Sequence, residues 1–81
     1  MIPVPSEEYD QSLGCEPMLL FWYPQEGDQV VAGQDLCEIE TAKAVFMIQA
    51  PAAGCLARIH VREGEAVGSG QLLAEIEPEG T

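Results

Sequence analysis

Lys43 is the only lysine among the 81 residues, and it lies in the short sequence Glu40-Thr41-Ala42-Lys43-Ala44. The small side chains on both sides leave its amine unobstructed. A catalytic lysine needs burial or a cationic neighbour, whereas the nearest charge in this sequence is Glu40, which favours the ammonium form. An accessible amine on a protruding turn suits covalent modification. The sequence therefore predicts that Lys43 accepts an attached group, against the ordinary alternative of a solvated surface charge.

An internal repeat places this lysine within the fold. Residues 26–40, EGDQVVAGQDLCEIE, match residues 63–77, EGEAVGSGQLLAEIE, at nine of fifteen positions with an offset of 37. Segments of ordinary composition would agree at about one position by chance. Two copies indicate a single domain with approximate twofold symmetry rather than a solenoid. Because Lys43 closely follows the first copy, we expect it at the tip of a hairpin between the two halves.

Short apolar runs separated by glycine turns predict an all-β fold. No window has a sustained helical period, and the turn signals recur at spacings of about 8–12 residues, as in sandwiches and barrels. With two related halves, we expect two sheets that pack face to face about the twofold axis. The predicted strands are Leu19–Tyr23, Leu36–Glu40, Ala44–Gln49, Leu56–Val61 and Leu72–Glu77.

The predicted organisation has one domain with a segment on each side. The segments are 1–16, 17–77 (halves 19–40 and 56–77, joined by a hairpin at 41–55) and the tail 78–81. Within the first segment, residues 2–5 can form an edge strand, because sheet edges tolerate proline. Alternation after Lys43 predicts that Phe46, Ile48 and Ala50 point inward and that Val45, Met47 and Gln49 point outward. Trp22 and Tyr23 are expected to be buried or half-buried.

Charge and cysteine usage exclude several classes of function. Fourteen acidic residues against three basic ones give a formal net charge of −11. A nucleic-acid backbone is therefore not an expected partner, and an anionic membrane surface is disfavoured. Cys15, Cys37 and Cys55 form no CxxC pair and are expected to be small buried or half-buried thiols in a reducing compartment. Neither a metal site nor a catalytic set around His60 is expected. A location in the cytoplasm is expected, or in the mitochondrial matrix for a domain cut from a longer eukaryotic precursor.

The stretch EIETAKA at residues 38–44, with Gly27 upstream and Gly54 downstream, resembles the lipoyl-attachment domain of 2-oxoacid dehydrogenase complexes. The resemblance covers roughly residues 17–77. It implies a flattened barrel of two four-stranded antiparallel sheets with quasi-twofold symmetry, and lipoate joined to Lys43 by an amide bond. The residues implied in recognition of the site by a lipoate ligase or lipoyl transferase are Glu40, Thr41, Ala42, Ala44, Gly27 and Gly54. The two glycines would hold turns at backbone angles that other residues dislike.

The same resemblance implies a carrier without catalytic residues of its own. A thiamin-dependent 2-oxoacid decarboxylase would load an acyl group onto the lipoyl arm. An acyltransferase core would then pass the group to coenzyme A, and dihydrolipoamide dehydrogenase would reoxidise the arm. Tethering raises the effective concentration of the arm at each active site.

Two alternatives and two departures from the family pattern accompany this interpretation. Biotin carriers of the same fold typically have methionines beside the lysine, so Ala42 and Ala44 favour lipoate over biotin. An unmodified lipoyl-like module that serves in docking or structure is the other alternative, with Val45 and Met47 as its candidate surface.

The family often has Asp immediately before the lysine, and Ala42 removes that turn-stabilising side chain. Residues 6–16 replace the loop that is common near the start of these domains.

Overall fold

The computed structural model describes residues 1–8 and 17–79. Seven strands form two antiparallel sheets, with the order β1-β7-β6-β3 in the first and β2-β4-β5 in the second. These ranges contain no helix, and thus none that could cross a membrane. The strands are β1 Ile2–Pro5, β2 Met18–Trp22, β3 Gln29–Val30, β4 Asp35–Glu40, β5 Val45–Gln49, β6 Gly54–Ile59 and β7 Leu72–Pro78. The predicted all-β fold of two antiparallel sheets is confirmed.

The second sheet has three strands where four were predicted. In place of a fourth strand there is a single bridge between Met18 and Ala66. The offset of 37 makes this bridge the counterpart of the pair formed by Gln29 of β3 and Cys55 of β6 in the first sheet. The twofold symmetry therefore extends to this edge, although Ala66 pairs at one residue only.

Four β-bulges follow the same symmetry. The strand registers skip Leu20 in β2, Leu36 in β4, Ala57 in β6 and Leu73 in β7. Leu20 and Ala57 are 37 positions apart, as are Leu36 and Leu73. A bulge lets two consecutive residues turn toward the same side of a sheet. Accordingly, residues 36–37 and residues 73–74 are all fully buried, which simple alternation would not allow.

A single core lies between the two sheets, and both halves of the repeat contribute to it equally. Its six largest fully buried side chains form three pairs with the offset of 37: Leu19 with Leu56, Leu36 with Leu73, and Ile39 with Ile76. Burial of one such side chain contributes about 1.5–3 kcal/mol. The repeated leucines and isoleucines therefore preserve the core that holds the two halves together.

Two aromatic side chains, Phe46 and Tyr23, are more exposed than predicted. Ile48 and Ala50 are buried as predicted, but Phe46 is 37% exposed. β5 is the edge strand of its sheet, so no further strand covers Phe46 beside the hairpin. Tyr23 is 48% exposed although Trp22 is buried, because consecutive residues of an extended segment point to opposite sides.

Candidate functional site

The hairpin that carries Lys43 joins β4 to β5. Glu40 at the end of β4 pairs with Val45 at the start of β5, which leaves residues 41–44 as the turn. The Thr41 N–H donates to the Ala44 carbonyl at 2.8 Å. No described non-glycine residue has a positive φ, so this turn differs from the primed turns of two-residue hairpins, which favour glycine. A sequence without glycine can therefore close it.

The Thr41 side chain organises this turn from within. Its Oγ1 donates to the Ala44 carbonyl at 3.0 Å and accepts the N–H groups of Lys43 at 3.3 Å and of Ala44 at 3.2 Å. One donor and two acceptor positions are the full capacity of a hydroxyl group. A side-chain oxygen that binds backbone groups further along the chain is a recurrent way to stabilise turns. The sequence predicted the loss of a turn-stabilising side chain at Ala42. Thr41, one position earlier, supplies such a side chain.

Lys43 is exposed at the tip, as are Glu40 and the other turn residues except the half-buried Thr41. Within residues 1–8 and 17–79, the one salt bridge joins His60 to Glu75. No carboxylate in those ranges therefore holds the Lys43 ammonium group in an ion pair. The amine is reachable by a modifying enzyme and has no ion-pair partner among the described residues, while hydrogen bonds fix the backbone of the turn.

Gly27 and Gly54 lie outside the turn of residues 41–44. Gly27, with φ of 94°, lies in the turn between β2 and β3, and its N–H donates to the Leu56 carbonyl at 2.8 Å. Gly54 begins β6 and pairs with Pro78 of β7. A Cβ at Gly54 would lie 2.2 Å from the carbonyl oxygen of Glu77. Both glycines thus act on the packing around β6, whereas Glu40, Thr41, Ala42 and Ala44 surround the lysine.

Two of the three cysteines lie in the described ranges, and both are free thiols. Cys37 is buried in β4 and Cys55 is half-buried in β6, as the sequence predicted. Burial raises the pKa of the Cys37 thiol to about 12, so this group stays protonated at neutral pH. Cys15 lies outside the described residues. Within those residues, no group of three or more His, Cys, Asp or Glu side chains could hold a metal ion.

The geometry defines a small two-sheet domain that presents one lysine on a hairpin between symmetric halves. The family model described as "Biotin-requiring enzyme", of the biotin/lipoyl type, matches residues 3–76. The chain therefore belongs to the biotin/lipoyl attachment family.

A lipoyl domain and two dehydrogenase-complex components are similar to this chain. The lipoyl domain of the 2-oxoglutarate dehydrogenase complex from Azotobacter vinelandii superimposes with a TM-score of 0.81 at 29% identity, over 99% of this chain and 100% of that one. The mouse mitochondrial pyruvate dehydrogenase protein X component is 47% identical over 60 residues, which are 73% of this chain and 12% of that protein. The acetyltransferase component of the pyruvate dehydrogenase complex of Caenorhabditis elegans is 46% identical over 56 residues, 68% of this chain and 11% of that protein. The chain thus spans only about a ninth to an eighth of the length of these two relatives.

Proposed function

We propose that the chain is a lipoyl carrier domain in which Lys43 bears lipoate through an amide bond. The observation that carries this proposal is the position of Lys43 at the exposed tip of a hydrogen-bonded hairpin, on the seam between two symmetric halves. A carrier needs an ordered backbone that supports a mobile side chain. The Thr41 hydrogen bonds order the backbone of the turn, and the exposed Lys43 side chain is free to move. The similarity to a lipoyl domain over the whole chain supports the same conclusion.

The residues beside the lysine fit lipoate better than biotin. Ala42 and Ala44 are exposed and small, so they leave the amine open on both sides. Biotin carriers of this fold typically have methionines at these two positions, and this chain has none there. A biotin carrier that passes carboxyl groups remains the second candidate, because the matched family covers both kinds of attachment.

In this role the domain supplies position and recognition, and catalysis belongs to its partners. Bound lipoate would supply a disulfide that accepts an acyl group together with two electrons. A lipoate ligase or lipoyl transferase would modify Lys43, and the exposed Glu40 three residues earlier would help that enzyme to select the site. The loaded arm would serve a thiamin-dependent 2-oxoacid decarboxylase, an acyltransferase core and dihydrolipoamide dehydrogenase. These partners would place the domain in the cytoplasm or the mitochondrial matrix.

Production of the chain in cells that contain both a lipoate ligase and a biotin ligase tests the proposal. The intact mass of the purified protein is expected to show one lipoyl group per chain. A biotinyl group would instead support the carboxyl carrier. An unmodified mass, in cells that lipoylate their own complexes, would support a docking or structural module and contradict the proposal.

A further inference from the structure

The outer surface of the three-stranded sheet carries an aromatic and acidic patch. Phe21 of β2 pairs with Glu38 of β4, which pairs in turn with Met47 of β5, so these three side chains form one row across the sheet. Phe21 is 46% exposed and Met47 is 39% exposed. Tyr23 extends the row, because its hydroxyl donates to the Glu38 carboxylate. We call these four residues the aromatic face.

The two rings of the aromatic face contact each other. The Phe21 and Tyr23 rings meet edge to face, with centroids 5.0 Å apart and an interplanar angle of 84°. The hydrogen bond to Glu38 raises the pKa of Tyr23, so the phenol remains a donor well above neutral pH. Rigid aromatic side chains lose little conformational entropy when a partner covers them. This preorganised pair has the properties of an interface anchor.

The other half of the repeat shows that the fold does not require these aromatic residues. The positions 37 residues after Phe21, Tyr23 and Glu38 are occupied by Arg58, His60 and Glu75. The geometry is retained, since His60 Nε2 lies 2.8 Å from Glu75 Oε1 where the other half has the Tyr23–Glu38 hydrogen bond. The same backbone therefore accepts charged and polar residues at these positions. Phe21 and Tyr23 are exposed aromatic residues, and packing of the core does not explain why they are aromatic.

The charge around the aromatic face indicates what covers it. Glu38 lies within the row, and Glu40 lies two residues further along β4, about 7 Å nearer to the Lys43 hairpin. The net charge of −11 opposes the approach of a second copy of this chain, because two such faces would bring like carboxylates together. A partner surface that places a basic side chain among apolar ones would be complementary to the aromatic face. The aromatic face adjoins the Lys43 hairpin, because Glu40 and Val45 form the last pair before the turn. A partner bound there would lie beside the lysine, as expected for an enzyme that acts on the attached arm.

We infer that the aromatic face is the docking surface for the thiamin-dependent 2-oxoacid decarboxylase that loads the Lys43 arm, with an arginine or lysine of that enzyme opposite Glu38. The identity of the partner rests on the proposed function, whereas the surface itself rests on the geometry above. Docking here would hold the enzyme beside the hairpin and leave the arm free to enter its active site.

Reductive acylation of the lipoylated domain by the pyruvate and 2-oxoglutarate decarboxylases of the source cell tests this inference. The Phe21→Ser/Tyr23→Ser variant keeps the net charge, and Phe21→Arg/Tyr23→His transplants the residues that the fold already accepts in its other half. The matched control is His60→Ser on the opposite sheet, at the position equivalent to Tyr23, which also keeps the formal net charge. Intact mass first confirms that every variant is lipoylated to the same extent. We expect the aromatic variants to raise KM for the domain about tenfold or more with kcat unchanged, and the control to match the wild type.

The outcomes separate the docking face from the proposed function. An unchanged KM in both aromatic variants, with normal acylation of the wild type, would overturn the docking face alone. An equal rise in KM for the control would also overturn it, because the effect would then be general to the surface. A dimer in sedimentation that is lost in the aromatic variants, without a change in KM, would assign the face to a second copy. Failure of both enzymes to acylate the lipoylated wild type would overturn the proposed function together with its partner.

Discussion

Glu26 and Glu63 make the same contact from opposite halves of the molecule. The Glu26 carboxylate accepts the N–H of Ile59 at 2.7 Å, and the Glu63 carboxylate accepts the N–H of Trp22 at 3.0 Å. All four positions obey the offset of 37. Each turn of the repeat therefore binds the end of a strand in the other half, and the two carboxylates fasten the halves to each other across the symmetry axis.

Removal of these carboxylates should destabilise the domain. We expect Glu26→Ala and Glu63→Ala each to lower the free energy of unfolding by about 0.5–1.5 kcal/mol, because each removes a hydrogen bond between the halves that is accessible to water. Urea denaturation measures the change. Glu7→Ala removes an exposed glutamate of equal charge and is the control. Equal stability of the Glu26→Ala, Glu63→Ala and Glu7→Ala proteins would show that the carboxylates do not hold the halves together.

Thr41 should affect how well Lys43 is presented for modification. Thr41→Val keeps the shape but removes the three hydrogen bonds of the hydroxyl, so the tip becomes less ordered. We expect kcat/KM for lipoate attachment to fall by roughly three- to tenfold. Thr41→Ser retains the hydroxyl and should restore most of the rate. Thr41→Val with wild-type kinetics, or Thr41→Ser as slow as Thr41→Val, would contradict the positioning role.

Gly54 should tolerate a side chain far less well than Gly27. A Cβ at Gly54 would lie 2.2 Å from the Glu77 carbonyl oxygen and 2.8 Å from the Ile76 side chain, whereas a Cβ at Gly27 would meet no atom within 4 Å. We expect Gly54→Ala to cost about 3 kcal/mol or more through displacement of β7. Gly27→Ala should cost about 1–2 kcal/mol for its positive φ alone. Thermal unfolding of both variants is the measurement, and the reverse order of stability would refute the assignment.

Cys37 should make the domain less stable at alkaline pH. Burial raises the pKa of its thiol from 9.0 to about 12 in the folded state, so the unfolded chain releases this proton first. The contribution of Cys37 to stability is therefore constant below about pH 9 and falls between pH 9 and 12, by at most about 1.4 kcal/mol per pH unit. Cys37→Ala should show a smaller fall over that window in urea titrations. An identical pH dependence of the two proteins would exclude the thiol as the cause.

The repeat explains why so much of the fold could be predicted from the sequence. Core positions with the offset of 37, such as Leu36 and Leu73, marked the strands and the symmetric halves before any contact was known. The location of the Lys43 hairpin followed from the same offset. The two-residue strand β3 was not predicted, because so short a run has no measurable period.

Other features depend on contacts that a sequence pattern does not contain. The bulges shift the alternation by one residue, so the burial of both Leu36 and Cys37 was not evident. Phe46 was predicted to be inside because alternation alone does not show which strand is an edge. The role of Thr41 had a signal, a hydroxyl at the first position of the turn, but its three hydrogen bonds required the geometry.

The intact masses of the wild type and of Lys43→Arg, after reaction with lipoate, ATP and a purified lipoate ligase, test the central claim most directly. Lys43 is the only lysine in the chain, so the substitution removes every lysine amine and keeps the positive charge at the hairpin. The wild type should gain one lipoyl group and Lys43→Arg should gain none. A lipoyl group on Lys43→Arg, or an unmodified wild type under conditions that lipoylate a known lipoyl domain, would contradict the assignment of Lys43 as the attachment site.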